Sequence, residues 1–579
     1  MPADTLNQLL ERASGFPETG LRFLDRRERE SWASWYEIHR RAAAAGGSLR
    51  ALGVGAGERV ALIYPTGLDF FHAFFGILLA GAVPVPLYPP ARFGRRDEYH
   101  NRTAAMLRAA GARLVLTSRH LERLLAETIA AARPDLGCRV LDGLPACEDG
   151  GEVAVEPSDL ALVQFSSGTT VDPKPVALSH RAVLSQIQAL NSFWPDDDHS
   201  GVSWLPLYHD MGLIGCVFPA LERPGTLTLI GPEVFASRPA VWLRALSRYR
   251  ATISVAPNFA YGLCADRIRD EELDGVDLGE WRIALNGAEP VAPSVLRAFQ
   301  RRFARWGFRP QALTPVYGLS EATLAVTFSS IEDDFRGERF DREALAREGL
   351  ARLANGNPEA GVELVSVGRP VPGTEIRITG EDGETLPPQR VGRVLARGPS
   401  IMDGYLGRPD LTAAALRDGW LDTGDLGFVH DGELFLTSRR KDVVILRGRN
   451  YLPAEIEQAV EDLDGAGKGA AVAVSWLPEG APGERLMLFV ELERGTPSDA
   501  AEGLPSACSR AVLAAIGLLP DEVVVVDPGT LPRTSSGKLR RRETLRRHLA
   551  GELREEGSAP KGPQHPAQGF NPVLRKGHG

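Results

Sequence analysis

Up to about residue 430 the chain alternates short apolar runs with helical patterns, and this rhythm restricts the fold more than any other feature. Residues 59–64 (Arg-Val-Ala-Leu-Ile-Tyr) read as a buried strand, 70–79 as an apolar helix and 81–87 as the next strand. Residues 113–117, 251–255 and 282–285 repeat the strand theme, and 375–378 with 392–396 read as antiparallel strands of a smaller β-rich lobe. The pattern predicts an α/β fold class. At 579 residues the chain is too long for one core. Its texture changes at residues 437–442, a polar, charged break after the strand 433–436. A compact series follows: strand 443–446, helix 453–463, strands 470–474 and 485–490, helix 504–516 and strand 522–526. The expected division is a large N-terminal domain over 1–437, a hinge over 438–443, a small α/β domain over 444–550 and a disordered, Pro/Gly-rich tail over 551–579.

A net charge of −9 leaves no overall electrostatic footprint for nucleic acid. No segment approaches the roughly 18–20 uninterrupted apolar residues of a membrane helix. Met1-Pro2-Ala3-Asp4 lacks the basic and apolar regions of a signal peptide. Cys138, Cys147, Cys216, Cys264 and Cys508 are scattered, without C-x-x-C spacing, and read as reduced thiols. A cytoplasmic location is expected.

Candidate chemistry begins at residues 164–174. Ser166, Ser167, Gly168, Thr169, Thr170 and Lys174 follow an apolar run. Glycine admits close backbone approach, hydroxyls donate hydrogen bonds and lysine brings charge, which is what a polyphosphate needs. The spacing is not that of a Walker loop, and a polar turn is the plain alternative. Asn286, Gly287, Ala288, Glu289 and Pro290 form a tight turn at the end of a strand, where open α/β sheets bind ligands. Tyr317 and Gly318 lead to Glu321, which offers a stacking face and a carboxylate for a cation such as Mg²⁺. Asp425 suits ribose hydroxyls, and Lys538 sits on a second glycine turn. Each has an ordinary reading as a cap, a turn or a surface charge; their joint order does not.

Together these segments resemble the adenylate-forming superfamily, which includes acyl-CoA synthetases, nonribosomal peptide synthetase adenylation domains and luciferases. The resemblance spans roughly residues 30–548. It implies a large N-terminal adenylation (AMP-binding) domain, a mobile C-terminal domain and an active site between them. It places Ser166 to Lys174 around the β- and γ-phosphates of ATP, and Glu321 with Thr169 or Thr170 on Mg²⁺. It places Gly287 to Pro290 and Tyr317 on adenine, Asp425 and Arg439 on ribose, and Lys538 between the carboxylate and the α-phosphate. Lys441 falls at the hinge position.

The segments 86–90 (Pro-Leu-Tyr-Pro-Pro), 204–215 and 447–453, and the long stretch between Glu321 and Gly368, look like fatty acyl-AMP ligases. That resemblance implies an insertion that restrains the C-terminal domain and disfavours CoA. It also implies transfer of a fatty acid to a holo acyl carrier protein on a separate chain. His209 is then expected at the carboxylate, its alternative being a structural histidine. Met211, Leu213 and Ile214 are expected along an acyl tunnel, their alternative being plain core. Val171, Pro175 and Ser438 depart from the family pattern by replacing glycines. The basic segment 538–548 reads either as a docking face for an acidic carrier or as a solvated helix. The rival functions are an acyl-CoA synthetase and a non-catalytic fatty-acid or nucleotide-binding protein.

Overall fold

The computed structural model describes residues 3–90, 96–144, 153–166, 174–194, 199–354, 361–446, 449–478, 484–534 and 537–553. Ser167, Gly168, Thr169, Thr170 and Val171 lie outside the described residues, as does the expected tail from 554 onward.

The apolar runs become parallel strands. Thr226–Ile230, Gly201–Ser203, Ile253–Ala256, Ile283–Asn286 and Leu313–Gly318 lie side by side, all parallel, in a nine-stranded sheet. Gly20–Leu24 joins one flank in parallel, and antiparallel Glu30–Ser34 ends that edge. Antiparallel Ala325–Phe328 and Arg369–Pro370 end the other. Parallel sheets need both faces covered, and here Trp242, Tyr261, Trp281 and Phe299 fill the space under the helices. A second parallel sheet has the order Val83–Leu87, Arg59–Ile63, Leu114–Thr117, Cys138–Val140. The β-rich lobe is an antiparallel sheet that includes Glu375–Thr379, Gly392–Arg397, Trp420–His430 and Glu433–Arg439.

That last strand runs three residues past the strand expected over 433–436. Arg439 pairs with Asp425 and Ser438 with Leu426, so the sheet continues to Arg439. Backbone pairing tolerates polar side chains where one face is open to water. From Val444 onward the chain packs around cores of its own. Ala466–Trp476 and Arg485–Leu492 are antiparallel, and Glu522–Val526 is parallel to the latter. The helix expected over 453–463 ends at Gln458, because Leu463 and Ala466 turn back through tight bonds to Val460 and Leu463.

The stretch after Glu321 forms a strand pair, Gly337–Asp341 with Gly361–Val365, and the helix Arg342–Glu348. Phe340 anchors it edge-on to Phe428 at 5.0 Å and to Phe435 at 5.4 Å. Arg297 forks onto Glu363, and Arg342 pairs with Glu455 at the start of helix Pro453–Gln458. The insertion therefore touches the C-terminal unit directly.

The basic segment has other business than an open docking face. Arg541 pairs with Glu457 at 2.6 Å, Arg546 with Glu543 and Glu552, and Arg547 with Glu543 and Glu98. Arg542 donates to the Lys441 carbonyl at 2.7 Å. Most of this charge is spent internally. Cys138, Cys216, Cys264 and Cys508 are free thiols. No helix among the described residues is long and apolar enough to cross a membrane.

Candidate active site

A cavity of about 440 Å³ opens at the carboxyl ends of the parallel strands, where an open α/β sheet places its ligands. One end is polar and the other apolar.

Lys174 stands at the polar end. Strands Leu160–Phe165 and Pro175–Ser179 are antiparallel, and Ser166 N–H donates to the Lys174 carbonyl at 3.2 Å, so the two ends of the Ser/Thr/Gly segment meet. Pro175 opens its strand, a position where a missing N–H costs no ladder bond. Lys174 Nζ lies 5.1 Å from the centroid of the Tyr405 ring. Burial holds the Lys174 ammonium below its usual range; Glu321 opposes this, while Lys441 and Arg439 add to it.

Tyr317 to Glu321 leave strand Leu313–Gly318 through a strained turn. A Cβ on Gly318 would fall 1.8 Å from the Leu324 carbonyl oxygen, so only glycine fits. Thr323 closes the turn with φ of 65°, a conformation that non-glycine residues rarely hold. The turn presents Glu321 to the cavity, and Tyr405 donates to its Oε1 at 2.8 Å. The second carboxylate oxygen gives Glu321 a way to take a hard cation. Tyr317 is buried and donates to Asp425 Oδ2 at 2.6 Å, while Arg439 Nε lies 3.3 Å from Oδ1. Burial raises the Asp425 carboxyl, and Arg439 and Tyr317 resist.

The turn after Ile283–Asn286 divides its roles. Asn286 is fully buried and donates to Asn258 at 3.1 Å. A Cβ on Gly287 would meet Val316 Cγ2 at 2.7 Å, so this glycine serves the approach of neighbouring strands. Ala288 lines the cavity with φ of 72°. Glu289 accepts the Phe259 N–H, and Pro290 faces solvent.

Lys538 arrives from the C-terminal unit. Thr534 holds its backbone through two bonds, at 2.7 and 3.1 Å, and the lysine lines the cavity. Burial draws its ammonium below the usual range; Arg439 adds to this, and Asp210, Glu289 and Asp425 resist. Lys174 and Lys538 therefore reach one cavity from two units of the chain, and with Arg439, Arg440 and Lys441 the cations slightly outnumber the carboxylates Asp210, Glu321, Asp422 and Asp442 that share its wall, which suits a ligand that brings negative charge. Lys441 also lines it.

His209 lines the cavity too, with Nδ1 2.6 Å from Asp210 Oδ1 and Nε2 buried without a hydrogen-bond partner among the described residues. The apolar end is walled by Leu190, Trp194, Met211, Gly215, Leu324 and Phe328. Leu213 and Ile214 correct the tunnel expectation. Both are fully buried in the core that also holds Val217 and Phe218, and neither lines the cavity. Met211 and Gly215, four residues apart, share the cavity face of the helical turn, while Leu213 and Ile214 between them do not line it. Asp210, Ser320, Tyr405, Trp194, Gly215 and Phe328 are site residues that the sequence reading assigned no role. Adjacency to His209 and Glu321 was the signal for the first two; the others carried none.

The AMP-binding enzyme family matches residues 11–406. A putative acyl-CoA synthetase of Caulobacter vibrioides is 36% identical over 510 residues, covering 87% of this chain and 88% of that protein. A long-chain-fatty-acid–AMP ligase of Mycobacterium marinum is 34% identical over 542 residues, covering 89% and 91%. A solved structure from work on fatty acyl-adenylate ligases of E. coli and L. pneumophila superposes with a TM-score of 0.89 at 32% identity, covering 94% of this chain and 98% of that one.

Proposed function

Because the chain belongs to the AMP-binding enzyme family, we propose that it joins a fatty acid to AMP and passes the acyl group to the phosphopantetheine thiol of a holo acyl carrier protein. One observation carries this reading. Lys174 and Lys538 converge on a cavity whose far end is apolar, so one ligand can present phosphates and a carboxylate to the cations and a hydrocarbon tail to Trp194 and Phe328.

The chemistry needs positioning more than covalent help. A carboxylate oxygen attacks the α-phosphorus of ATP; the bond to the β-phosphate oxygen breaks, and pyrophosphate leaves with the electron pair. Two anions must approach, so Lys538 bridges them, and Lys174 with Ser166 holds the departing phosphates. Tyr317 and Ala288 flank the purine, and Asp425 with Arg439 holds the ribose. Glu321 is the described residue that would hold Mg²⁺, beside Thr169, and the ion would screen phosphate charge there. His209 meets the substrate carboxylate through Nε2. Lys441 lies in a hinge, 438–443, between domains over 1–437 and 444–550. In the second step the carrier thiol attacks the acyl carbon, its proton leaves and AMP departs.

The carrier is favoured over CoA by the pairing of Arg342 with Glu455, which fastens the insertion to the C-terminal unit. ATP–pyrophosphate exchange across a panel of fatty acids tests the first step, and exchange with none would end the reading. Adding CoA or holo carrier protein to the adenylate tests the second; thioester on CoA alone would replace the carrier with CoA.

A further inference from the structure

We propose that Asp210 and Ser320 act together as positioning residues that hold His209 with Nε2 turned to the substrate carboxylate. The inference rests on the adenylation reading and adds a charge to it.

Asp210 is only 6% exposed, and both of its oxygens are engaged. Oδ1 lies 2.6 Å from His209 Nδ1 and accepts the Met211 N–H at 2.7 Å. Oδ2 accepts the Ser320 hydroxyl. These three partners tie Asp210 to His209, Met211 and Ser320, and its role runs through those neighbours. Burial alone would raise its carboxyl, but the His209 imidazole and the hydrogen bonds bring it down to about 2, so it is an anion at neutral pH.

An ionised carboxylate accepts and never donates, so Nδ1 must carry the proton. The ring orientation follows. The His209 backbone is fixed as well: its N–H donates to the Pro206 carbonyl, and its own carbonyl accepts from Gly212 and Leu213. Nε2 is then the atom left for a ligand, and it is buried on the cavity wall with no partner among the described residues. A buried polar atom left unmatched costs stability until something meets it. If Nε2 carries a proton to donate to a carboxylate, the ring is a cation, and Asp210 supplies the countercharge, as a buried aspartate does beside a catalytic histidine. Ser320 adjoins Glu321, so the same chain of contacts ties the carboxylate end of the site to its phosphate end.

The alternative is that Asp210 only closes the turn at the helix Asp210–Gly212. The full-length enzyme separates the two. ATP–pyrophosphate exchange with dodecanoate is measured for wild type, Asp210→Asn, His209→Ala and the double variant. Each single change is expected to lower kcat/KM for dodecanoate about 100-fold while KM for ATP stays within about twofold. The double variant should be no worse than His209→Ala, because one residue acts through the other. Ser320→Ala, a gentler change, should cost about tenfold and also vanish in the His209→Ala background. Losses that multiply, or an Asp210→Asn enzyme with wild-type kcat/KM, would overturn the proposal. Proton NMR gives a readout independent of turnover: a low-field imidazole N–H signal in wild type, lost in both Asp210→Asn and His209→Ala. Its absence from wild type would refute the dyad even in an active enzyme. Its presence in a wild type that exchanges no fatty acid would support the dyad and reject the adenylation reading.

Discussion

Replacing Arg342 by alanine tests whether the insertion restrains the C-terminal unit. Arg342 starts the helix Arg342–Glu348, and its partner Glu455 lies in the first turn of Pro453–Gln458. The Glu455 side chain is 12% exposed and that of Arg342 is 27%. Burial pushes the Glu455 carboxyl up, and Arg342 pulls it back. Without Arg342 a nearly buried carboxylate loses its cation. A fully buried pair broken in this way costs about 3–5 kcal/mol, and an exposed one less than about 1. This half-wetted pair falls between, at about 1–2 kcal/mol. That is about a 5- to 30-fold shift from held toward released C-terminal unit. The assay supplies preformed acyl-adenylate and excess CoA and follows acyl-CoA by chromatography. Acyl-CoA formation should rise by about that factor, and Arg342→Lys should rise less because it keeps the charge. Unchanged CoA use, in a variant whose melting temperature shows that the contact is lost, would refute the restraint.

Lys174→Ala and Lys538→Ala should each slow ATP–pyrophosphate exchange by about 100- to 1,000-fold, the cost of one preorganised charge partner; unchanged exchange would remove that lysine from the site. Gly215→Val should lower kcat/KM for long fatty acids by about tenfold and spare short ones, because a Cβ there already sits 2.9 Å from Leu324 Cδ2 on the cavity wall. An equal loss at every chain length would contradict that wall. His180 should make the fold acid-sensitive. The Leu6 N–H donates to its Nδ1 at 3.0 Å, and burial pushes the imidazole down to about 4. The unfolded chain binds that proton near pH 6.5 and the folded chain resists it, so stability is full above about 6.5 and falls as pH drops toward 4, by up to about 3 kcal/mol. Urea midpoints at pH 7 and 4.5 should differ less in His180→Gln than in wild type; equal losses would refute the assignment.

The core strands were legible because burial on both faces leaves unbroken apolar runs such as 253–256 and 283–286. The motif residues at the cavity were legible because glycine, hydroxyl and charge cluster where a strand ends. Partnerships were not. Ser320 reaches Asp210 across 110 residues and Tyr405 reaches Glu321 across 84, and neither separation leaves a mark in a local window. Leu213 and Ile214 show a different limit: an apolar run says that a residue avoids water, not whether it faces a core or a ligand. The arginines after Lys538 show a third, since charge in a sequence does not reveal where its counterion lies.

Those arginines have a kinetic consequence. The screening length at physiological ionic strength is about 8 Å, and a guanidinium paired within 3 Å, like Arg541 on Glu457 or Arg547 on Glu98, projects little field beyond its own partner. A macromolecule diffusing toward this helix meets a surface close to neutral at range. Its association should then be governed by fit at contact, and raising salt should change the rate constant little.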